Sequence, residues 1–157
     1  MAAQLNYGYS TGKGIAGGIF DAYHYKIDSR VNEEANGVLQ VGVGVVQGSI
    51  PGSNVKLPDK ESSTSTFEGV VVNGFSNQQN LDGNLTIANN QNIGVMREGR
   101  IYAVVAFTAT PAYGKALYLC PGTGEFTTEA TDNVKISGRF LGEANNGIAP
   151  IELYGID

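Results

Sequence analysis

The sequence has very little of the side-chain chemistry on which enzymes and metal sites depend. Its 157 residues include one histidine, one cysteine and no tryptophan. A single histidine excludes sites built from several imidazoles and leaves a Ser-His-Asp triad with one possible base, His24. His24 lies between two tyrosines in "AYHYKI", and no Gly-x-Ser-x-Gly nucleophile motif accompanies it. We interpret His24 as a structural imidazole and predict no catalytic site, no metal and no cofactor.

The lone cysteine excludes an intramolecular disulfide framework. Cys120 lies in "LYLCPG", which is typical of the end of a buried strand. A thiol in apolar surroundings is usually inert, because burial disfavours the reactive thiolate. We therefore interpret Cys120 as a core side chain and not as a nucleophile.

Charge and long apolar runs are also scarce. Charged residues make up 16% of the chain, and the net charge is −5. A negative chain without a basic stripe repels phosphate backbones, so we expect no nucleic-acid partner. The sequence lacks both an 18-residue apolar run and a basic, then apolar, amino-terminal region. These absences predict no membrane partner and synthesis in the cytoplasm.

Glycine, in contrast, is abundant, with 22 residues, about twice the usual share of ~7%. The stretch "YSTGKGIAGG" at residues 9–18 superficially resembles a phosphate-binding loop. In such a loop a serine or threonine follows the lysine, but here Gly14 follows Lys13. No hydrophobic strand precedes the stretch and no long amphipathic helix follows it. The pattern favours a flexible or extended glycine-rich arm over a nucleotide site.

From about residue 38 onward the apolar residues recur with a period of two, interrupted by glycine-rich turns. The segments "VLQVGVGVV", "VKISGRF" and "PIELYGI" alternate, whereas "TFEGVVVNG" and "REGRIYAVVAF" are apolar on both faces. Many short alternating segments separated by Asn-Gly, Asp-Gly and Pro-Gly turns are typical of antiparallel β-structure. The sequence predicts an all-β fold, a compact β-barrel or sandwich of short antiparallel strands with an extended N-terminal arm.

The first 35 residues differ from the rest in pattern. They are glycine-rich and irregular, yet they hold four of the eight tyrosines, more aromatic content than a solvated tail normally has. We divide the chain into an arm, residues 1–35, and a body, residues 36–157. The arm either packs along its own body or supplies anchors to another chain, and we predict the second. The predicted partner-binding side chains are Tyr7, Tyr9, Ile15, Ile19, Phe20, Tyr23 and Tyr25.

Two features of the body predict self-association. The strand around Gly42 and Gly44 has one nearly bare face, and the strand at residues 100–108 is apolar on both faces. A single-layer monomer has little reason to expose a second apolar face. We predict a self-association surface at Gly42, Gly44, Tyr102 and Val104.

Several segments, taken in order, resemble the structural cement, or head decoration, proteins of tailed bacteriophages. The most specific are "QGSIPGSNVKLP" at 47–58 and "GVMREGRIYAVV" at 94–105, supported by "STGKGIAGGIFD", "YGKALYL", "GEFTT" and "ISGRFLGEA". The resemblance covers nearly the whole chain. It implies an all-β body without enzyme activity, a homotrimer, and attachment to the major capsid protein on the outer capsid surface of the virion.

Other functions remain open at this point, because β-barrels and sandwiches host many activities. A carbohydrate- or receptor-binding module on a phage virion is the main alternative, and a hydrolase is the third. Paired carboxylates for glycoside hydrolysis would meet only in the fold. The absence of tryptophan disfavours a sugar-stacking platform.

Overall fold

The computed structural model describes residues 14–21, 24–74, 78–79 and 85–155. Within these ranges the chain consists of β-strands and loops with one short 3-10 helix, Thr64–Thr66, and without an α-helix. No helix there could cross a membrane. The strands are β1 (Lys26–Asn32), β2 (Gly44–Gln47), β3 (Asn54–Lys56), β4 (Phe67–Val71), β5 (Gln78–Gln79), β6 (Leu85–Thr86), β7 (Asn92–Val104), β8 (Ala116–Leu119), β9 (Phe126–Thr127), β10 (Val134–Phe140) and β11 (Ile148–Leu153). The predicted all-β fold is confirmed.

Five strands close into a barrel, which we call the first barrel. The first half of β7 pairs antiparallel with β1 on one side and with β4 on the other. From β4 the ladder continues through β2 and β3, and β3 returns to β1 in a short parallel pairing. Closure gives each of these five strands a neighbour on both sides, although β3 covers only the end of β1 at Val31 and Asn32.

The second half of β7 begins another sheet, which we call the second sheet. Residues 99–104 of β7 pair antiparallel with β11, and the ladder continues through β10, β8 and β9. An isolated bridge between Val105 and Phe126 then brings β9 back to the end of β7. The second sheet therefore also curls back onto β7.

Two apolar cores follow from this arrangement. The first core, inside the first barrel, contains Leu39, Val43, Val45, Val55, Val71, Ile87, Ile93 and Val95. The second core joins the barrel strands to the second sheet, and includes Val70 and Met96 together with Phe126 and Phe140. Adjacent residues of β4 and β7 point into different cores, which explains why "TFEGVVVNG" and "REGRIYAVVAF" are apolar on both faces.

The predicted boundary at residue 35 is not a boundary of the fold. β1, which falls inside the predicted arm, pairs with β7 from Lys26 to Val31 and is a wall of the first barrel. Its residues are mostly exposed or half-buried, and only Asn32 is buried. Because the strand buries so few apolar side chains, its sequence lacks the alternation that identifies a core strand.

Asn32 fixes the end of β1 to two loops. Its side-chain amide donates to the Ala88 carbonyl (2.9 Å), and its side-chain oxygen accepts from the Glu34 N–H (2.9 Å). The neighbouring Glu33 carboxylate accepts the Ser49 N–H (2.7 Å) and hydroxyl (2.9 Å). These bonds to the charged form lower the pKa of Glu33. The sequence "VNEE" thus ties β1 to the loops around residues 49 and 88.

Truncation tests which part of the amino-terminal region belongs to the fold. A chain starting at Gly14 retains every described strand and should melt cooperatively near the temperature of the full chain. A chain starting at Asn36 lacks β1, leaves β3 and β7 with unpaired edges, and should lose the cooperative transition. Circular dichroism melts of both variants check this. If residues 36–157 melted cooperatively at the melting temperature of the full chain, residue 35 would be a domain boundary after all.

The second core should depend strongly on its aromatic side chains. Phe126 is fully buried and meets the Phe67 ring edge-on, with centroids 6.4 Å apart. Phe126→Ala should lower the free energy of unfolding by about 3–5 kcal/mol, because a cavity remains where the ring was. Phe107→Ala, at a fully exposed ring, should change it by no more than about 0.5 kcal/mol. Urea denaturation measures both, and equal effects would contradict this placement of the core.

Candidate interaction surface

Residues 14–21 lie along β7 as an added extended segment, which we call the docked segment. The Gly17 N–H donates to the Tyr102 carbonyl (2.8 Å), the Tyr102 N–H to the Gly18 carbonyl (2.9 Å), and the Phe20 N–H to the Arg100 carbonyl (3.0 Å). Asp21 and Arg100 add an ion pair at 2.9 Å. The backbone of the described part of the predicted arm thus packs on its own body, and binding of its exposed side chains to a partner stays a prediction.

Glycine makes this close docking possible. Gly14 lies against the Tyr102 ring, and a Cβ at that position would overlap the ring. Gly17 has a φ of +74°, and a Cβ there would lie 2.7 Å from the Asn73 backbone nitrogen. The Phe20 ring then meets the Tyr102 ring edge-on, with centroids 5.4 Å apart. Residues 14–18, the described part of the glycine-rich stretch that superficially resembles a phosphate loop, therefore serve to dock a strand.

The docked segment and the start of β1 present large apolar side chains to solvent. Ile15 is 63% exposed, Ile19 41%, Tyr25 46% and Ile27 38%. We call these four residues the apolar strip. Exposed apolar groups of this size, when several occur together, are typical of interaction sites. Three of the predicted partner-binding residues, Ile15, Ile19 and Tyr25, belong to the strip.

The remaining predicted anchors have other positions. Phe20 is half-buried against Tyr102 and is part of the docking contact. Tyr7, Tyr9 and Tyr23 lie outside the described residues. The structure adds Ile27, which the sequence analysis missed because β1 was not identified as a strand.

Two of the four predicted self-association residues are buried inside the chain. A Cβ on Gly42 would lie 2.9 Å from the Gly17 backbone nitrogen, and one on Gly44 would lie 3.0 Å from the Phe126 ring. Both glycines are buried. The prediction of a self-association surface at Gly42 and Gly44 is therefore wrong, because what would be a bare strand face is covered by the docked segment and by the second core.

The other two residues, Tyr102 and Val104, have different surroundings. The Tyr102 ring is half-buried beneath Gly14 and Phe20 of its own chain. Val104 packs on the first core and also lines a groove at the surface. Of the predicted set, Val104 alone borders an open surface feature.

Arginine side chains surround the region where the amino-terminal segment meets β7. Arg100 contacts Asp21 and lies 3.8 Å from Glu152, and Arg139 contacts Glu152 at 3.0 Å. Arg139 also lies 4.9 Å above the Tyr113 ring. On β1, Arg30 joins Asp28 and Glu68, each at 3.3 Å. These partly buried pairs orient the side chains of a surface that contains arginine and tyrosine, two residue types enriched at interfaces.

The described residues include the chain's one cysteine and its one histidine. No three histidine, cysteine, aspartate or glutamate side chains there come together as a metal site. The Cys120 thiol is half-buried, and burial raises its pKa. His24 is 62% exposed and lies 3.5 Å from Glu98.

An open groove of about 790 Å³ lies beside the 3-10 helix. Its lining includes Lys60, Ser63, Thr64, Cys120 and Asn133, and none of the residues around it is aromatic. The groove therefore lacks a ring on which a sugar could stack.

The comparisons with known proteins identify the family. The model of the family "Structural cement protein (E217 gp24/Pam3 gp6)" matches residues 3–154. The chain belongs to this phage structural cement family. A chain in the solved structure "The capsid of Myoviridae Phage XM1" is 16% identical, with a TM-score of 0.70, and 98% of each chain is covered. At that identity the likeness shows a shared fold. The search of curated proteins gave no match.

Membership in the cement family gives the chain a capsid-associated structural role and implies a function without catalysis. The apolar strip is the candidate interaction surface of the described residues.

Gly99 of this cement protein lies where Tyr25 of the strip passes close to β7. Its φ is +129°, and a Cβ there would lie 2.6 Å from the Cβ of Tyr25. Gly99→Ala should therefore push the chain at Tyr25 away from β7 and lower the melting temperature. Gly52→Ala is the matched control, because Gly52 also has a positive φ, +80°, but open space around it. If the two variants had the same melting temperature, the close approach of Tyr25 to Gly99 would be contradicted.

Proposed function

We propose that the protein binds the outer surface of the phage capsid and stabilises contacts between neighbouring major capsid protein subunits. The observation that carries the proposal is the apolar strip, four exposed side chains in or directly beside segments that are hydrogen-bonded to β7. Family membership supplies the capsid context. The protein would be made in the host cytoplasm and would join the virion from outside the shell.

The strip is suited to this work because its backbone is already ordered. Ile19 lies in a bridge with Ile101, and Ile27 lies in the ladder between β1 and β7. A partner that covers these side chains gains apolar burial without the cost of ordering a free tail. Because the backbone is ordered before binding, little of the favourable binding free energy is offset by the entropic cost of ordering it.

Stabilisation of the shell follows from mass action. A protein that binds the assembled lattice and not the separate subunits lowers the free energy of the assembled state. The effect then appears as resistance to rupture and not as a change in subunit folding. The carbohydrate- or receptor-binding alternative gains no support from the open groove beside the 3-10 helix, since its lining offers no aromatic ring.

Binding of variants to capsids from which the protein has been removed tests the proposal. The double variant Ile15→Ser/Ile19→Ser should lower affinity about tenfold or more, because two interface anchors are lost. Ile50→Ser is the matched control, since Ile50 is 58% exposed but lies in the loop between β2 and β3. Quantitative gel analysis of sedimented capsids gives the occupancy.

The rupture of capsids under heat or osmotic shock gives the second measurement. Capsids occupied by the wild-type protein should withstand higher temperature than bare capsids. Capsids incubated with the double variant at the same concentration should rupture earlier than those with Ile50→Ser. Equal occupancy of both variants would remove the apolar strip from the proposal. Equal rupture thresholds of bare and fully occupied capsids would refute the cementing role itself.

A further inference from the structure

A single aromatic side chain stands fully clear of the surface in the connection between β7 and β8. Phe107 is 103% exposed, whereas Phe67, Phe126 and Phe140 are buried. Its turn is held by a bond from the Ala109 N–H to the Ala106 carbonyl (3.0 Å). The Ala106 N–H in turn donates to the Phe126 carbonyl (2.8 Å). We call Phe107 on this turn the knob.

The Phe107 ring buries no apolar surface within its own chain, so it adds no packing free energy to the fold. Its ring contacts neither core, and full exposure of a ring to water is unfavourable. A rigid, fully exposed aromatic side chain has the character of an interface anchor, which gains its free energy only when a pocket covers it.

A groove of about 320 Å³ on the same chain has the matching character. Val43, Leu57 and Val104 supply its apolar lining, and Val38, Thr123 and Glu125 border it. Val38 is 47% exposed, so the groove leaves apolar surface in contact with water. Since Phe107 is fully exposed, it does not fill the groove of its own chain.

Charge complementarity selects the occupant. Lys115 is the only charged residue of residues 105–115, and its ammonium group donates to the Thr110 carbonyl (2.9 Å), which holds the charge beside the knob's turn. Glu125 is the only charged residue in the lining of the groove. The knob therefore has a cation near its aromatic ring, and the groove has one carboxylate among its apolar side chains. The two surfaces are complementary in charge and in apolar character.

We propose that the knob of one copy inserts into the Val104 groove of a second copy, with Lys115 of the first opposite Glu125 of the other. Knob and groove are different surfaces of one chain, so repetition of the contact forms a ring where its rotation closes and an open filament where it does not. The contact lies apart from the apolar strip, and it explains why Val104 faces the surface. It does not depend on the capsid-binding proposal.

Sedimentation velocity of the full chain over a range up to about 1 mM tests the contact. Wild type should show a concentration-dependent oligomer, and Phe107→Ala should raise its dissociation constant at least tenfold. Tyr113→Ala is the matched control, because Tyr113 is 69% exposed in the same connection and lies outside the proposed contact. Its dissociation constant should match the wild-type value.

Charge reversal tests the pairing itself. Lys115→Glu and Glu125→Lys should each weaken association, while the double variant and an equimolar mixture of the two single variants should recover it. Melting temperatures near wild type would confirm that each variant is folded. Single reversals without recovery in the double variant would overturn the proposed pairing.

Two further outcomes would also overturn the proposal. One is a wild-type protein that stays monomeric over the whole range. The other is a monomeric wild type whose Phe107→Ala variant loses occupancy on capsids, which would show that the knob docks on the shell and not on a second copy.

Discussion

Every other part of this structure depends on the sharing of β7 between two β-systems. Its residues 92–98 close the first barrel through β1 and β4, and its residues 99–104 begin the second sheet through β11. Val95 packs in one core and Met96 in the other. Because one continuous strand supplies both ladders, the two cores cannot move apart without breaking its pairings. The surface elements are therefore presented from one body.

Two glycines in or beside β7 satisfy the constraint that sharing creates. Neighbouring strands and the amino-terminal segment must approach β7 more closely than side chains allow. Gly99, with φ +129°, leaves room for Tyr25, and Gly69, with φ +147°, lies against the Met96 backbone. The repeated Gly-Val-x-x-x-Gly frame at residues 69–74 and 94–99 includes both residues. Gly69 begins one copy of the frame and Gly99 ends the other, whereas Gly74 has open space around it, so the two copies do not have equivalent surroundings.

The sequence predicted the strands whose apolar residues alternate or fill both faces, because burial imposes that pattern directly. β10 is an example, with Ile136 and Phe140 buried and Lys135 and Ser137 exposed. It could not predict β1, since that strand closes a barrel mainly through backbone hydrogen bonds and buries only Asn32. Backbone pairing leaves little trace in side-chain composition.

The candidate surfaces show the same division. The sequence predicts Ile15, Ile19 and Tyr25 as anchors because large apolar residues in an irregular glycine-rich segment are unusual, and all three side chains are exposed in the structure. Gly42 and Gly44 were misassigned because a bare strand face has two meanings, a free surface or a site of close packing. Phe107 was missed because "RIYAVVAF" continues the apolar run beyond Val104, where the strand ends. The run of Thr, Pro and Gly that follows it was the available signal for a turn.

The docking of the amino-terminal segment changes how the protein could hold a shell. An arm on a flexible tether would reach many positions and would strengthen binding through effective concentration alone. Here the apolar strip and the knob project from one body, so their separation is set by the length and twist of β7. Two sites with a fixed separation engage together only where the partner surfaces have the matching separation. If both proposed contacts form, a rigid protein of this kind would bind one lattice geometry and resist its deformation, because any change in subunit spacing would break one of the two contacts.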